Sequence, residues 1–410
     1  MGEVWLCSGQ SNMRMEMIFR DAAIAGVVDW ENEVKKADYP SIRFYSRFRE
    51  KGASLWETCD SNSVKLFSAV AYYFGTEIFK DQQVPVGLIH QSAGGTSIQK
   101  WIPGKYFQQL PWAKQYLDFS QYVPWLEPAS CYDNFISPIV GYGIRGVLWY
   151  QGESNANIEV HGYSYRYLLP LLIQSWRKEW KQENLPFAFV QLPIWDNSNA
   201  FRYIREAQLN TVKTVPNTGM ITIYDKDEFR TMLHPGNKKQ VGERLAVWAK
   251  SSVYGHKDIE AMGPVYQSQH KAGNAIKILF DEDLQSSNGK ELQGFMIASA
   301  NNDFQPATAT IAGKNTVLVS NTSITDPVAV RYAWGENIAP GNLANTQGLP
   351  ASPFRTDTWG NDTLEKALLE GKELKRVNMN GHWTADAKSI GDWMPATQPA
   401  KTDLKIIMLP

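Results

Sequence analysis

The chain has 410 residues, which is enough for two or three domains that each bury a hydrophobic core. A formal net charge of −1 gives no electrostatic footprint for nucleic acid or an anionic membrane, and no apolar run approaches the ~18 residues of a membrane span. The three cysteines are too few and too scattered for a disulfide framework or a metal cluster.

Residues 1–257 alternate strand-like and helix-like segments. Strands are predicted at 4–7, 84–91, 144–151, 187–194 and 219–225, and helices at 64–80, 165–180, 203–213 and 238–253. Apolar strands separated by amphipathic helices are typical of a parallel sheet covered on both faces. The long connections 14–63 and 102–143 are rich in Pro, Gly and aromatic residues, and we expect them to shape a site.

The pattern changes after residue 257. Residues 258–357 hold short alternating runs, namely "AIKILF", "GFMIAS", "TATIAG", "NTVLVS" and "PVAVRYAW". Such runs, punctuated by Asn, Gly, Asp and Pro, predict antiparallel strands in a β-sandwich domain. Residues 358–410 form a predicted appendage with one helix at 363–374.

Four polar segments lie at or just beyond the ends of predicted strands. They are "SGQSN" with Ser11, "SAGGTSIQKW" with Gly94 and Gly95, "WYQGESN" with Gln151, Glu153 and Asn155, and "TMLHPGNK" with His234. A parallel sheet brings the carboxyl ends of its strands to one edge, so these segments are predicted to converge there.

Their chemistry is that of an acyl-transfer site. Ser11 is the predicted nucleophile and His234 the base that a serine hydroxyl needs near neutral pH. The N–H groups of Gly95 and Ser11, with Gln151 or Asn155, are predicted to stabilise the oxyanion. Each residue also has a plainer interpretation: a helix cap for Ser11, an ordinary loop histidine, a simple Gly94-Gly95 turn. The conjunction of the four segments favours the site.

Several blocks of the sequence resemble one enzyme family. "GEVWLCSGQSNM", "GLIHQSAGGTSIQKW", "IRGVLWYQGESNA" and "HPGNKKQVGERLA", with "REAQ" and "ASPFRTDTW", are similar to sialate O-acetylesterases, which are SGNH-superfamily serine esterases related to acetyl xylan esterases. The resemblance implies an α/β fold: a three-layer α/β/α esterase domain with a flavodoxin-like parallel sheet, and a C-terminal β-sandwich. It also implies removal of O-acetyl groups from sugars without a metal or other cofactor. The family's nucleophile falls on Ser11, its base on His234 and its oxyanion glycine on Gly94 or Gly95.

The acid that orients the base departs from the family pattern. Relatives carry an Asp three or two residues before the histidine, where this chain has Thr231 and Met232. The glutamate of a "QGE" motif serves as the acid in related acetyl xylan esterases, which implies Glu153 here. Two aspartates, Asp225 and Asp227, and a Ser-His dyad remain as alternatives.

Other functions stay open at this point. A lipase-like or thioester-cleaving enzyme could use the same fold, and a carbohydrate-binding protein could keep the fold without the reaction. The acetylated sugar and the oligomeric state are also left open. No signal peptide is visible, so we expect a cytoplasmic protein if the chain is complete, or a periplasmic or secreted one, as the resemblance implies, if an upstream segment is missing.

Overall fold

The structure is a computed structural model that describes residues 2–18, 26–46, 56–113, 128–194, 200–225, 232–335 and 341–371. A seven-stranded sheet forms the framework of the first half of the chain. Its strands are β1 (Glu3–Gly9), β2 (Asp38–Ser46), β3 (Glu57–Asp60), β4 (Val86–Ser92), β5 (Gly146–Tyr150), β6 (Phe187–Val190) and β7 (Thr218–Ile221).

The strand order is β3-β2-β4-β1-β5-β6-β7, and every neighbouring pair is parallel except β2 with β3. From β1 the chain passes to β2 and β3 on one side, returns to β4 beside β1, and then crosses to β5 on the other side. The strand order therefore reverses between β1 and β5, the position at which flavodoxin-like sheets bind their ligands.

The helices of this half are α1 (Ser11–Arg14), α2 (Trp30–Lys36), α3 (Ala69–Gln82), α4 (Gly104–Phe107), α5 (Glu159–Trp180), α6 (Phe201–Thr214) and α7 (Lys238–Ser252). The longer ones form two packed pairs, α3 with α7 and α5 with α6. Trp5 contacts Phe74 of α3 and Trp248 of α7. The register of β1 with β5 directs Trp149 to the opposite face, where it contacts Trp176 of α5. The two pairs therefore cover opposite faces of the sheet. The predicted α/β fold with helical layers over a parallel sheet is confirmed.

Side-chain caps fix where two of these helices begin. Ser68 precedes α3 and its hydroxyl accepts a hydrogen bond from the N–H of Ala71. Asn237 does the same for α7, with the N–H of Gln240 as donor. The helix predicted from residue 64 therefore starts later, because a short 3₁₀ turn occupies Val64–Leu66 ahead of the cap.

The sequence prediction missed β2 and β3, which lie inside the connection 14–63. Ile42, Phe44 and Ser46 are buried and alternate with more exposed residues, as in a strand with one covered face. The register of β2 against β3 shifts between Tyr39 and Arg43. These two strands extend the sheet beyond β4.

Tryptophan contributes several of the largest side chains in the core of the sheet. The fully or almost fully buried tryptophans include Trp5, Trp101, Trp149, Trp176 and Trp248. The Trp149 ring meets those of Trp101 and Trp176 edge to face, at centroid distances of 5.7 and 5.8 Å. All three cysteines are buried and free.

The second half of the chain is antiparallel. Its strands are β8 (Tyr266–Ala272), β9 (Ala275–Phe280), β10 (Leu284–Ser286), β11 (Phe295–Ala298), β12 (Gln305–Pro306), β13 (Thr308–Gly313), β14 (Thr316–Ser320), β15 (Ala329–Tyr332), β16 (Leu343–Asn345) and β17 (Phe354–Arg355). They form two four-stranded sheets, β13-β14-β9-β8 and β12-β11-β15-β17, and the pair β10-β16. Each of the five predicted runs contains a strand, and the sheets fit the predicted β-sandwich.

A final helix, α8 (Asn361–Glu370), packs on α5 within the predicted appendage, whose residues 372–410 lie outside the described part of the chain. No described helix is long and apolar enough to cross a membrane. The boundaries predicted at 257 and 357 stay predictions.

Two of the family-like motifs join the halves of the molecule. Arg355, from "ASPFRTDTW", forms a bidentate pair with Glu206, from "REAQ", at 2.8 and 3.0 Å. The Gln191 amide, just beyond β6, donates to the Ser352 hydroxyl at 2.7 Å. These contacts hold the antiparallel half against the edge of the sheet at which the parallel strands end.

Candidate active site

Ser11 follows directly from the end of β1. The chain turns at Gly9 and Gln10, and Ser11 is the first residue of α1 and is only 6% exposed. Gln10 holds the cap position and makes no side-chain capping bond, so the serine is not a helix cap. Gly9 has φ of +139°, and a Cβ there would lie 2.1 Å from the carbonyl oxygen of Tyr150. Only glycine fits this turn.

His234 lies in the loop before α7, 223 residues along the chain from Ser11. Its Nε2 is 2.8 Å from the Ser11 hydroxyl oxygen. Burial and, to a smaller extent, the positive charge of Lys238 lower the pKa of His234 to about 4. The imidazole is therefore neutral near neutral pH, and its Nε2 can accept the serine proton.

An amide and a lysine that the sequence analysis did not single out lie beside this pair. The Asn12 side-chain amide donates to Glu153 Oε1 at 2.5 Å and to the carbonyl of Leu233 at 3.0 Å. The Lys238 ammonium donates to Asn12 Oδ1 at 2.6 Å. A buried network thus runs from Lys238 through Asn12 to Glu153 and to the residue before His234.

The carboxylates predicted as candidates for the acid are placed differently. Glu153 directs Oε1 at Asn12 and buries Oε2, and burial raises its pKa against the opposing influence of Asn12 and Lys238. Asp225 is held by both terminal nitrogens of Arg244, at 2.7 and 2.8 Å. Asp227 lies outside the described residues. The role of the acid therefore stays a prediction.

Gln151 connects three loops at the sheet edge. Its amide nitrogen lies within 3.1 Å of Gln10 Oε1, the carbonyl of Thr96 and Asn155 Oδ1. Its Oε1 accepts from the Tyr165 hydroxyl at 2.9 Å. Gln151 therefore fixes the position of the residue before Ser11 and of the loop after β4.

Asn155 is occupied in a similar way. Its Oδ1 accepts from the N–H of Ile98, and its amide nitrogen donates to Gln99 Oε1, both at 2.9 Å. These bonds give the amides of Asn155 and Gln151 a positioning role. The further role predicted for them, as oxyanion donors, stays untested.

The glycine pair predicted to bind the oxyanion forms a turn after β4, with Gly95 at φ of +67°. The N–H of Ala93 donates to the carbonyl of Gly9 at 3.1 Å, which ties this turn to the Ser11 turn. In the described part of the chain, the N–H groups of Gly94, Gly95 and Ser11 donate no hydrogen bond. They are donors that a developing oxyanion could use.

Comparison with known proteins identifies the family of this chain. A family model described as carbohydrate esterase, sialic acid-specific acetylesterase, matches residues 1–250. The chain belongs to this family. This esterase is 32% identical to a carbohydrate acetylesterase from Xanthomonas citri of known crystal structure, with a TM-score of 0.77 over 87% of this chain and 81% of that one.

Curated relatives of the esterase carry a more specific name. The sialate O-acetylesterases of Homo sapiens and Pongo abelii are 27% and 26% identical to it, over 374 and 372 residues. Each comparison covers 81% of this chain and 70% of the relative. By membership of this family, the protein is a carboxylic ester hydrolase.

Proposed function

We propose that this esterase removes O-acetyl groups from a carbohydrate through an acyl-enzyme intermediate on Ser11. The observation that carries the proposal is the 2.8 Å contact between the Ser11 hydroxyl and His234 Nε2. A serine hydroxyl is a weak nucleophile unless an adjacent base in its neutral form accepts the proton. The lowered pKa of His234 supplies that form.

In the first half of the reaction, the Ser11 oxygen attacks the acetyl carbonyl carbon while His234 Nε2 takes the hydroxyl proton. The carbonyl oxygen becomes an oxyanion, for which the N–H groups of Ser11 and Gly95, with Gly94, are the proposed donors. When the intermediate collapses, the bond to the sugar oxygen breaks and His234 returns the proton to that oxygen. The deacetylated sugar leaves and acetyl-Ser11 remains.

In the second half, water replaces the sugar hydroxyl. His234 takes a proton from water, the resulting hydroxide attacks the acetyl carbonyl, and the same donors hold the oxyanion. Breaking the ester bond releases acetic acid, which ionises to acetate in solution, and the proton on His234 returns to the Ser11 oxygen. These steps balance with water as the co-substrate and need no metal.

Glu153 remains the proposed acid. The contacts that support this role run through Asn12, whose amide bonds both Glu153 and the carbonyl of Leu233, next to His234. Asp225 is less suited, because Arg244 engages both of its oxygens. Asp227 is the alternative that mutagenesis has to compare with Glu153.

Sialic acids bearing O-acetyl groups are the first proposed substrates, because the family description and the curated relatives name them. Acetylated xylan is the second candidate. Acetate release from a panel of acetylated glycans ranks the two directly, and similar rates on unrelated sugars would contradict a sialate preference.

The test of the reaction itself uses p-nitrophenyl acetate and the Ser11→Ala variant. We expect turnover to fall by roughly 10⁴–10⁶-fold with the fold intact. A serine-directed phosphonate should label Ser11 and no other serine. Substantial activity in the variant would refute the proposal, and an inactive wild-type protein that still binds sugars would identify a binding protein.

A further inference from the structure

The buried network beside the catalytic pair has a role of its own. We propose that Lys238 is a positioning residue for His234, acting through Asn12, whose amide ties the helix that carries the nucleophile to the loop that carries the base. This inference rests on the proposed function, in which Ser11 and His234 react together.

The orientation of the Asn12 amide follows from its partners. Lys238 is a donor only, so it requires the amide oxygen, and it lies 2.6 Å from Oδ1. Glu153 in its ionised form and the Leu233 carbonyl are acceptors only, so they require the amide nitrogen. That nitrogen has two hydrogens and two such partners, at 2.5 and 3.0 Å. With Lys238 in place, the amide has one satisfactory orientation.

The bond from Asn12 to Leu233 reaches the catalytic pair on both sides. Asn12 follows Ser11 in α1, and the Leu233 carbonyl belongs to the peptide group that leads into His234. When the Asn12 amide is held in one orientation, the backbone at His234 is held in a fixed position relative to the backbone at Ser11. Small displacements between reacting groups are costly, since a shift of about 1 Å can lower the rate ~10²-fold.

Lys238 is an expensive residue for a purely structural role. It is the first residue of α7, its side chain is fully buried, and its ammonium lies 5.5 Å from the centre of the Tyr150 ring. The same face of α7 is otherwise apolar or small, with Val241, Gly242 and Leu245 buried. An apolar side chain would fill this place without the cost of burying a charge. Orienting Asn12 is a reason to keep the lysine.

The charge of Lys238 also acts on its surroundings. It lowers the pKa of His234 and opposes the rise in the pKa of Glu153. Lys238 acts on His234 from α7, while Glu153 contacts the Asn12 amide from the loop after β5. Loss of the ammonium should therefore raise the pKa of His234 even when the packing around the imidazole is kept.

The principal test is Lys238→Met, which keeps the length of the stem and removes the charge. We expect kcat for p-nitrophenyl acetate to fall by roughly 10–10²-fold with KM nearly unchanged. The acidic limb of the pH profile should move to higher pH. The matched control is Lys239→Met at the next position of α7, where a half-exposed lysine pairs with Glu33 at 3.3 Å. That variant should retain wild-type kcat and pH profile.

Asn12→Asp tests the amide even if Lys238→Met fails to fold. The new carboxylate still accepts from Lys238 but has no hydrogen to donate to Glu153 or Leu233. We expect its kcat to fall at least as far as that of Lys238→Met.

Wild-type kcat and an unmoved acidic limb in a folded Lys238→Met would overturn the inference, and so would a fully active Asn12→Asp. Ser11→Ala distinguishes failure of the proposed function from failure of the positioning role. If it remains active, the proposed function fails; if it is inactive while Lys238→Met and Asn12→Asp behave as wild type, only the positioning role fails.

Discussion

The activity of this esterase should fall at a lower pH than that of an ordinary histidine-dependent hydrolase. The reaction needs neutral His234, whose pKa is lowered from 6.5 to about 4 by burial and by Lys238. At pH 5.5, an imidazole of pKa 6.5 is only about one-tenth deprotonated, whereas one of pKa about 4 is about 97% deprotonated. We therefore expect kcat/KM to stay nearly constant from pH 8 down to about pH 5.

The assay is kcat/KM for an acetyl ester between pH 3.5 and pH 8, alongside the rate of phosphonate labelling of Ser11 over the same range. Labelling needs the same base but no sugar, so a shared acidic limb points to the enzyme rather than to the substrate. Glu153, whose pKa burial raises, also takes up a proton on the acidic side. The Glu153→Gln variant removes that second titrating group, so that its acidic limb reports the titration of His234 only.

The same shift makes stability depend on pH. In the unfolded chain, His234 binds its proton near pH 6.5, and in the folded protein only near pH 4. The contribution to stability is complete above pH 6.5 and is lost as the pH falls through this window, because the unfolded state then holds more protons. The loss reaches about 3 kcal/mol by pH 4, and it should be absent in His234→Gln. An acidic limb at pH 6–7, or equal pH slopes of unfolding in the two proteins, would refute the reasoning.

Three further predictions concern the turn, the acid and the substrate. Gly9→Ala should cost at least about 3 kcal/mol of stability, measured by chemical denaturation, because its Cβ meets the Tyr150 carbonyl at 2.1 Å; wild-type stability would contradict it. Glu153→Gln should lower turnover by at least about 10²-fold. Asp225→Asn weakens the pair with Arg244, so it should lower stability but change turnover by no more than about tenfold. The reverse order of effects on turnover would assign the role of the acid to Asp225. Acetyl esters should be hydrolysed much faster than butyryl or octanoyl esters, and EDTA should have no effect; a preference for octanoate or inactivation by EDTA would count against the mechanism.

The convergence of distant segments was predictable because it follows from topology. Once residues 4–7, 84–91 and 144–151 were identified as parallel strands, the rule that their carboxyl ends share an edge brought Ser11 close to the other segments. His234 needed a further step, since it lies in the loop between β7 and α7 rather than at a strand end. The imidazole side chain of His234, rather than its position relative to a strand, makes it the predicted base.

The partners of the amides were not predictable in this way. Gln151 and Asn155 looked like oxyanion donors, and the structure engages both with the loops after β1 and β4. A side-chain amide at a strand end serves a substrate or a neighbouring backbone equally well, and sequence does not distinguish the two. The role of these two residues stays a prediction.

Lys238 carried a signal that the sequence analysis did not use. Val241 and Leu245 follow it at three and seven residues, so the helical period places the lysine on the buried face of α7. Lys239 falls outside that stripe. In "HPGNKKQ", adjacent lysines therefore have different environments, and periodicity separates a buried charge from an exposed one.

The two strands that flank the reversal of the sheet end in the same manner. β1 ends at Gly9 with φ of +139°, and β5 is followed by Gln151 and by Gly152 with φ of +146°. Residues with a Cβ rarely adopt the φ of Gly152, and a Cβ there would also come within 2.8 and 2.9 Å of side-chain atoms of Leu192 and Ile204, so this turn also requires glycine. Each glycine lets the chain leave the sheet abruptly, and Ser11 and Glu153 follow within two residues. The site therefore depends on backbone conformation at two adjacent strand ends, from which Asn12 can bond Glu153 directly.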